Sequence, residues 1–189
     1  EHFEREFFQH RIPTPNGRAS YYCCSWECWK EPCAGCVWLN ANARVIDPDL
    51  HQNMKAKHRH LWLVNDKPGN PKNKPKLFDS THVNRGTGFI ELLADAMADD
   101  PTHFKDFSDL KIGSTAVLTV KELTMGAGTK YNAVTRIRFK KRDYEYPDAL
   151  LEKAPCLDEL LIKPKYDEVW ALLDQGEPPP KNEDTNSGA

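Results

Sequence analysis

The sequence predicts a mainly β protein, a small Greek-key barrel with a few short helices. Two observations predict this fold. Residues 114–123 and 131–140 alternate apolar and polar side chains with a period of two, and a glycine-containing turn joins them. Near the start of the chain, Asn16-Gly17 lies between two segments rich in aromatic residues, which is a strong signal for a β-hairpin.

The other elements follow from the same kinds of pattern. Apolar residues at helical spacing predict helices, and short runs that end in apolar residues predict strands. Residues 24–32 and 47–52 are expected to be a loop and a polar link. Strands are expected over residues 3–12, 18–22, 55–64 and 77–81, and helices over residues 37–43, 88–99 and 165–173.

The cysteines are clustered, since all except Cys156 lie between Cys23 and Cys36. Clustering with a Cys-x-x-Cys pair favours metal binding over disulfides, and therefore a reducing compartment. The hairpin can bring His10 beside Cys23, and Cys33 and Cys36 supply a second pair of ligands. Four protein ligands leave no open coordination position, so we expect one structural Zn²⁺ at this site.

Two further cysteines leave the ligand set open. Cys24 follows Cys23 directly and should point the opposite way in an extended chain. Cys28 lies in the expected loop and could replace either His10 or Cys23.

A second assignment of the metal ligands competes with the first. His2 and Glu4, followed by Cys33 and Cys36, fit the H-x-E…P-C-x-x-C signature of zinc-dependent nucleobase deaminases. In those enzymes H-x-E opens a helix, whereas here a hairpin signal follows within a few residues. The other alternative is a protein-interaction module that is stabilised by zinc, with the Trp-rich knuckle around residues 32–36 as its interface.

Charge is distributed unevenly along the chain. Lys and Arg outnumber Asp and Glu up to residue 142, and acidic residues dominate from Asp143 onwards. This charge distribution favours a polyanionic partner. A membrane-spanning helix is not predicted, because no apolar run reaches roughly 18 residues. Phosphate contacts and base stacking on aromatic rings hold single strands without reading their sequence. The residues assigned to such contacts are Lys55, Lys57, Arg59, Lys74, Lys76, Tyr131, Arg136, Arg138, Tyr22 and Trp29.

These residues together resemble the T-even-type bacteriophage single-stranded DNA-binding proteins, the helix-destabilising proteins of phage replication. The resemblance covers roughly residues 7–140. It is carried by the spacing H-x12-C-x9-C-x2-C, by the Asn-Gly hairpin between the His and the first Cys, and by residues 114–131. Of these features, the spacing of the ligands is the specific one. Arg136 stands where the family has an aromatic residue.

The resemblance implies a five-stranded OB-fold barrel with a small zinc-binding subdomain, and no enzymatic activity. It implies a protein that coats and protects single-stranded DNA in phage replication, recombination and repair. Self-association along DNA, recruitment of replication and recombination proteins through the acidic C-terminal region, and the cytoplasm of the infected bacterium follow from it. The expected organisation is a zinc-binding subdomain over 1–46, the OB-fold over 47–142, a helical extension over 143–175 and a disordered polar tail over 176–189.

Overall fold

The computed structural model of the protein describes residues 3–13, 19–66, 69–70, 72, 74–81, 88–101, 105–125 and 128–173. These residues form a mainly β fold with a curled four-stranded half-barrel sheet, a two-stranded sheet and a few short helices. The chain divides into two compact units. The long-hairpin unit comprises residues 1–4 and 62–155, and the cysteine unit comprises residues 5–61 and 156–189.

The secondary structure of the described residues is as follows. The strands, in chain order, are β1 (Glu4–Pro13), β2 (Ala19–Cys23), β3 (Lys57–Val64), β4 (Lys76–Thr81), β5 (Ser114–Met125) and β6 (Thr129–Lys141). The helices are α1 (Ser25–Trp29), α2 (Ala34–Asn42), α3 (Pro48–Met54), α4 (Phe89–Asp99), α5 (Leu157–Leu160) and α6 (Tyr166–Leu173), and a 3-10 helix spans Asp148–Lys153. None of these helices is long and apolar enough to cross a membrane.

Both predicted hairpins are confirmed, as are the strands β3 and β4 and the helices α2, α4 and α6. The turn residues of the first hairpin, including Asn16-Gly17, and the polar tail at 176–189 lie outside the described residues. Two expectations are wrong. Helix α1 occupies part of the expected loop, and helix α3 replaces the expected polar link.

The sequence contains a capping signal at the start of helix α3, although the apolar residues of this helix show no helical period. The Asp47 carboxylate accepts a hydrogen bond from the Leu50 N–H at 2.9 Å, which is an N-cap interaction. Pro48 follows at the first helical position, where its missing N–H costs nothing.

The four-stranded sheet has the order β2-β1-β3-β4. In the first hairpin, which is antiparallel, His10 lies opposite Tyr22 and Arg11 lies opposite Tyr21. Strands β5 and β6 pair with each other in a separate sheet, so the described strands do not confirm the five-stranded Greek-key barrel.

The long hairpin contains a β-bulge. Arg136 pairs with Thr119 but Val134 pairs with Val120, so Thr135 is the extra residue, and its hydroxyl donates to the Thr119 carbonyl. A bulge of this kind shifts the alternation of side chains by one residue. Each unit has its own apolar cluster: Trp62, Leu93, Ala96 and Ile137 in the long-hairpin unit, and Ile12, Ala34, Val169 and Trp170 in the cysteine unit.

Trp170 is expected to be a main stabilising residue of the cysteine unit. Its side chain is 5% exposed, whereas Leu172, on the same helix α6, is 43% exposed. Trp170→Ala should lower the free energy of unfolding by about 3–5 kcal/mol, because it opens a large cavity. Leu172→Ala should change it by less than about 0.5 kcal/mol. Urea denaturation of the two variants checks this, and equal losses would contradict it.

Candidate metal centre and basic groove

Four side chains of the cysteine unit meet at one point: His10, Cys24, Cys33 and Cys36. Their ligand atoms all lie within 4.8 Å of one another. His10 comes from β1, Cys24 lies at the start of α1, and Cys33 and Cys36 lie at the start of α2. All are buried except Cys36, which is half-buried. This cluster could hold a metal ion.

The spacing of the four atoms fits tetrahedral coordination. His10 Nε2 lies 3.4 Å from the sulfurs of both Cys33 and Cys36, and the sulfurs of Cys24 and Cys36 are 3.5 Å apart. Zinc bond lengths place tetrahedral ligands about 3.6 Å apart for nitrogen to sulfur and about 3.8 Å apart for sulfur to sulfur. The protein therefore holds the four ligands close to the positions that a tetrahedral ion requires.

A hydrogen bond from the nitrogen that does not face the cysteines orients the imidazole of His10. Its Nδ1 lies 2.9 Å from the carbonyl oxygen of Met54, the last residue of α3. A carbonyl only accepts, so Nδ1 carries the proton and donates, and Nε2 faces the cysteines with its lone pair when the ring is neutral. Helix α3, absent from the sequence prediction, thus contributes to the geometry of the centre.

Gly35, between Cys33 and Cys36, approaches the ring of His10 closely. A Cβ at this position would lie 3.0 Å from Cδ2 and 3.1 Å from Nε2 of the imidazole. A side chain here would require the imidazole to shift by a few tenths of an ångström relative to the sulfurs of Cys33 and Cys36.

The structure replaces Cys23 by Cys24 in the predicted ligand set. His10 lies opposite Tyr22, and side chains alternate between the two faces of a strand, so Cys24 shares a face with His10 and Cys23 does not. The Cys24 N–H donates to the Phe8 carbonyl at 2.8 Å, which continues the extended pairing one residue beyond β2. Cys23 and Cys24 do point in opposite directions, as expected. It is Cys24 rather than Cys23, however, that faces His10.

Without an ion, the cluster holds protons that a metal would have to displace. Burial alone would lower the pKa of His10, but hydrogen bonds to the Cys24 and Cys33 sulfurs more than offset this and raise the pKa to about 10. Hydrogen bonds with Cys24 and Cys36 hold the pKa of Cys33 well below its usual range. A thiolate is thus already favoured at Cys33, and the protons that remain must be released when an ion binds.

Cys23 and Cys28 form a separate pair. The hydrogen bond with Cys23 lowers the pKa of Cys28 to about 6 against the effect of burial, with help from the Phe8 backbone and from the charge of Arg5. The same hydrogen bond, together with burial, raises the pKa of Cys23. Cys28 is therefore a thiolate near neutral pH, outside the four-residue cluster.

A basic groove of about 210 Å³ also lies in the cysteine unit. It is lined by Gln9, Arg11, Tyr21, Asn53, Lys57 and Arg59. Tyr21 is 57% exposed, and three of the described lining residues are cations while none is acidic. An exposed aromatic ring offers a surface for stacking, and the cations around it attract anionic groups.

The groove contains only part of the predicted nucleic-acid contacts. Lys57 and Arg59 lie in it, and Arg11 and Tyr21 were missed. Tyr22, which was predicted, packs instead against the apolar cluster of the unit. Tyr21 could have been found from the alternation that separates Cys23 from Cys24, because residues 21 and 23 share one face of the strand and residues 22 and 24 share the other. Elsewhere, Lys55 and Lys74 are exposed, Lys76 is exposed and paired with Asp66, and Trp29 is half-buried at the end of α1.

The long hairpin presents a second basic face. Val134, Ile137 and Phe139 pack toward the apolar cluster of their unit. Because the bulge at Thr135 shifts the alternation, Tyr131 lies on the opposite face, together with Arg136 and Arg138. All three are exposed. The bulge therefore brings three predicted contact residues to one surface.

The deaminase assignment fits the described residues less well. Glu4 begins the strand β1, where that chemistry needs a helix, and His2 lies outside the described residues. The cluster that contains Cys33 and Cys36 takes its imidazole from His10.

No protein-family model matches the chain, and a search of curated proteins found no match to its sequence.

Single Cys→Ser substitutions should distinguish the thiols of the four-residue cluster from those of the Cys23–Cys28 pair. Cys24→Ser and Cys33→Ser should each abolish stoichiometric metal binding, because hydroxyl groups are poor zinc ligands. Cys23→Ser should retain one ion per chain, and it is the matched control because it changes the neighbouring residue in the same way. Metal content after purification in zinc and extensive dialysis, which removes exchangeable ions, decides this. Retention by Cys24→Ser with loss by Cys23→Ser would restore the ligand set predicted from spacing.

Alkylation should detect the thiolate of Cys28. Its rate with iodoacetamide should fall as the pH drops through about 6, since only the thiolate reacts. Cys23→Ala removes the hydrogen bond and should move this midpoint to higher pH, toward about 8.5. Peptide mass spectrometry between pH 5 and pH 9 measures both. An unchanged midpoint in the variant would show that Cys23 does not set the pKa.

Proposed function

We propose that the protein binds single-stranded DNA without sequence preference, in a groove whose walls are held in place by a structural zinc ion. The observation that carries the proposal is the exposed ring of Tyr21 among Arg11, Lys57 and Arg59. Cations neutralise the phosphates, and a ring stacks on any base because every base has a π-face. Neither contact distinguishes one base sequence from another.

Zinc is the ion that suits the cluster. Three sulfurs and one imidazole nitrogen in tetrahedral spacing favour Zn²⁺ over Mg²⁺ and Ca²⁺, which take oxygen ligands. With four protein ligands, the ion polarises no substrate and activates no water. Its role is to contribute folding free energy to a unit whose helices are short.

The ion and the groove are connected through the first hairpin. His10 and Arg11 are adjacent in β1 and point to opposite faces, and so do their partners Tyr22 and Tyr21 in β2. Fixing His10 on one face therefore fixes Arg11 and Tyr21 on the other. Loss of the ion should reduce DNA affinity, although no metal ligand lines the groove.

The basic face of the long hairpin supports the same function. Tyr131, Arg136 and Arg138 repeat the combination of an exposed ring and cations. A protein with such surfaces favours unpaired strands and draws the duplex equilibrium toward them by mass action. This is how a helix-destabilising protein acts without catalysis.

The remaining parts of the proposal rest on the resemblance to the phage proteins. They are an OB-type barrel, to which the curled four-stranded sheet is suited, self-association along DNA, and contacts with replication and recombination proteins through the acidic region after Asp143. Action in phage replication, recombination and repair, in the cytoplasm of the bacterial host, belongs to the same proposal.

Oligo-dT titration tests the function and the groove together. Tryptophan fluorescence at two salt concentrations should show binding that weakens as salt rises. Tyr21→Ala should weaken it by about 1–3 kcal/mol, the usual loss of one stacked base. Lys57→Gln should reduce the slope of log K against log salt by about 1, whereas Lys153→Gln, the same change at an exposed site outside the groove, should leave it unchanged.

Two results would contradict the proposal. Absence of salt-dependent binding by the zinc-loaded protein would exclude the function itself. Equal effects of the Lys57 and Lys153 substitutions would retain DNA binding but exclude the groove as its site.

A further inference from the structure

A second group of metal-ligating side chains lies in the cysteine unit and shares no residue with the four-residue cluster. It consists of Glu6, His58 and His60, whose ligand atoms all lie within 4.8 Å of one another. His58 and His60 are two residues apart in β3 and so lie on one face of the strand, opposite the face of Lys57 and Arg59. Glu6 comes from β1, the neighbouring strand of the sheet.

The distances in this group suit a metal ion as well as an ion pair. His58 Nε2 lies 3.4 Å from the Glu6 carboxylate. Two ligands that each lie about 2.1 Å from a tetrahedral ion are about 3.4 Å apart. The imidazole rings of His58 and His60 have centroids 4.7 Å apart, so a second nitrogen is within reach of the same point.

The surroundings hold the two imidazoles in place. The ring of Phe8 stacks on His58 with centroids 4.5 Å apart and planes 5° from parallel. His60 is 2% exposed, the His58 side chain is 23% exposed and the Glu6 side chain is 58% exposed. The group therefore has a buried end and an end open to solvent.

Two imidazoles and one carboxylate are a set of ligands different from that of the buried cluster. They favour divalent transition metals such as Zn²⁺, and they leave at least one coordination position for water. An ion at such a site exchanges with solvent, because one of its protein ligands is exposed and no thiolate holds it.

We propose that Glu6, His58 and His60 form a second site, which binds an exchangeable divalent transition-metal ion with an open, water-filled coordination position. The site is independent of the proposed DNA groove and of the structural ion. It uses the face of β3 that the groove does not use.

Cobalt titration of the full chain with one bound zinc tests this site. One further equivalent of Co²⁺ should bind, with visible absorption but no sulfur-to-cobalt charge-transfer band. His58→Gln and Glu6→Gln should each weaken this binding by at least about tenfold, a loss that even outer-shell partners of a metal cause. His51→Gln, which removes another histidine of the same unit, should leave it unchanged.

Three results would overturn the proposal. The first is that no second equivalent binds to the wild-type protein. The second is a sulfur-to-cobalt band, which would place the second ion on cysteines such as Cys23 and Cys28. The third is that the two variants bind as the wild type does. Because Glu6 and His58 are partly exposed, the variants should fold, and retention of one zinc per chain verifies this in the same samples.

Discussion

The cysteine unit depends on the meeting of His10, Cys24, Cys33 and Cys36. These four side chains tie strand β1 to the starts of α1 and α2, and the bond from His10 to the Met54 carbonyl adds the end of α3. Helices of five to nine residues are too short to be stable alone. A closed metal site contributes about 10–16 kcal/mol of folding free energy, so an ion at these four side chains would be a main source of stability for the unit.

Because side chains alternate along a strand, the two faces of the sheet carry different groups. In β1, His10 faces the cysteines and Arg11 faces the groove. In β3, Lys57 and Arg59 face the groove, whereas the two histidines between and after them lie with Glu6. A stretch that reads as one basic cluster in the sequence is therefore two surfaces of different chemistry.

Much of the fold and of the metal centre could be predicted from the sequence, because the Asn-Gly signal, the period-two segments and the ligand spacing are local patterns. Two features could not be predicted from these patterns. Helices α1 and α3 are too short for a periodicity to appear in their sequences. The register of the first hairpin depends on how the turn is built, and a difference of one residue reverses every face. That single ambiguity accounts for both Cys23 in place of Cys24 and Tyr22 in place of Tyr21.

The bulge at Thr135 has a consequence for how this chain tolerates insertions and deletions. Removal of Thr135 itself would let β6 pair regularly with β5 and would leave Tyr131 and Arg136 on one face, because they would then be four residues apart. Removal of Ala133, on the tip side of the bulge, would instead turn Tyr131 to the face of Ile137 while Arg136 stayed where it is. The hairpin would remain a hairpin, with its ring and its cations on opposite sides. Changes of length near the tip are therefore neutral only when they preserve the parity of each strand, a constraint far stricter than any on the exposed side chains themselves.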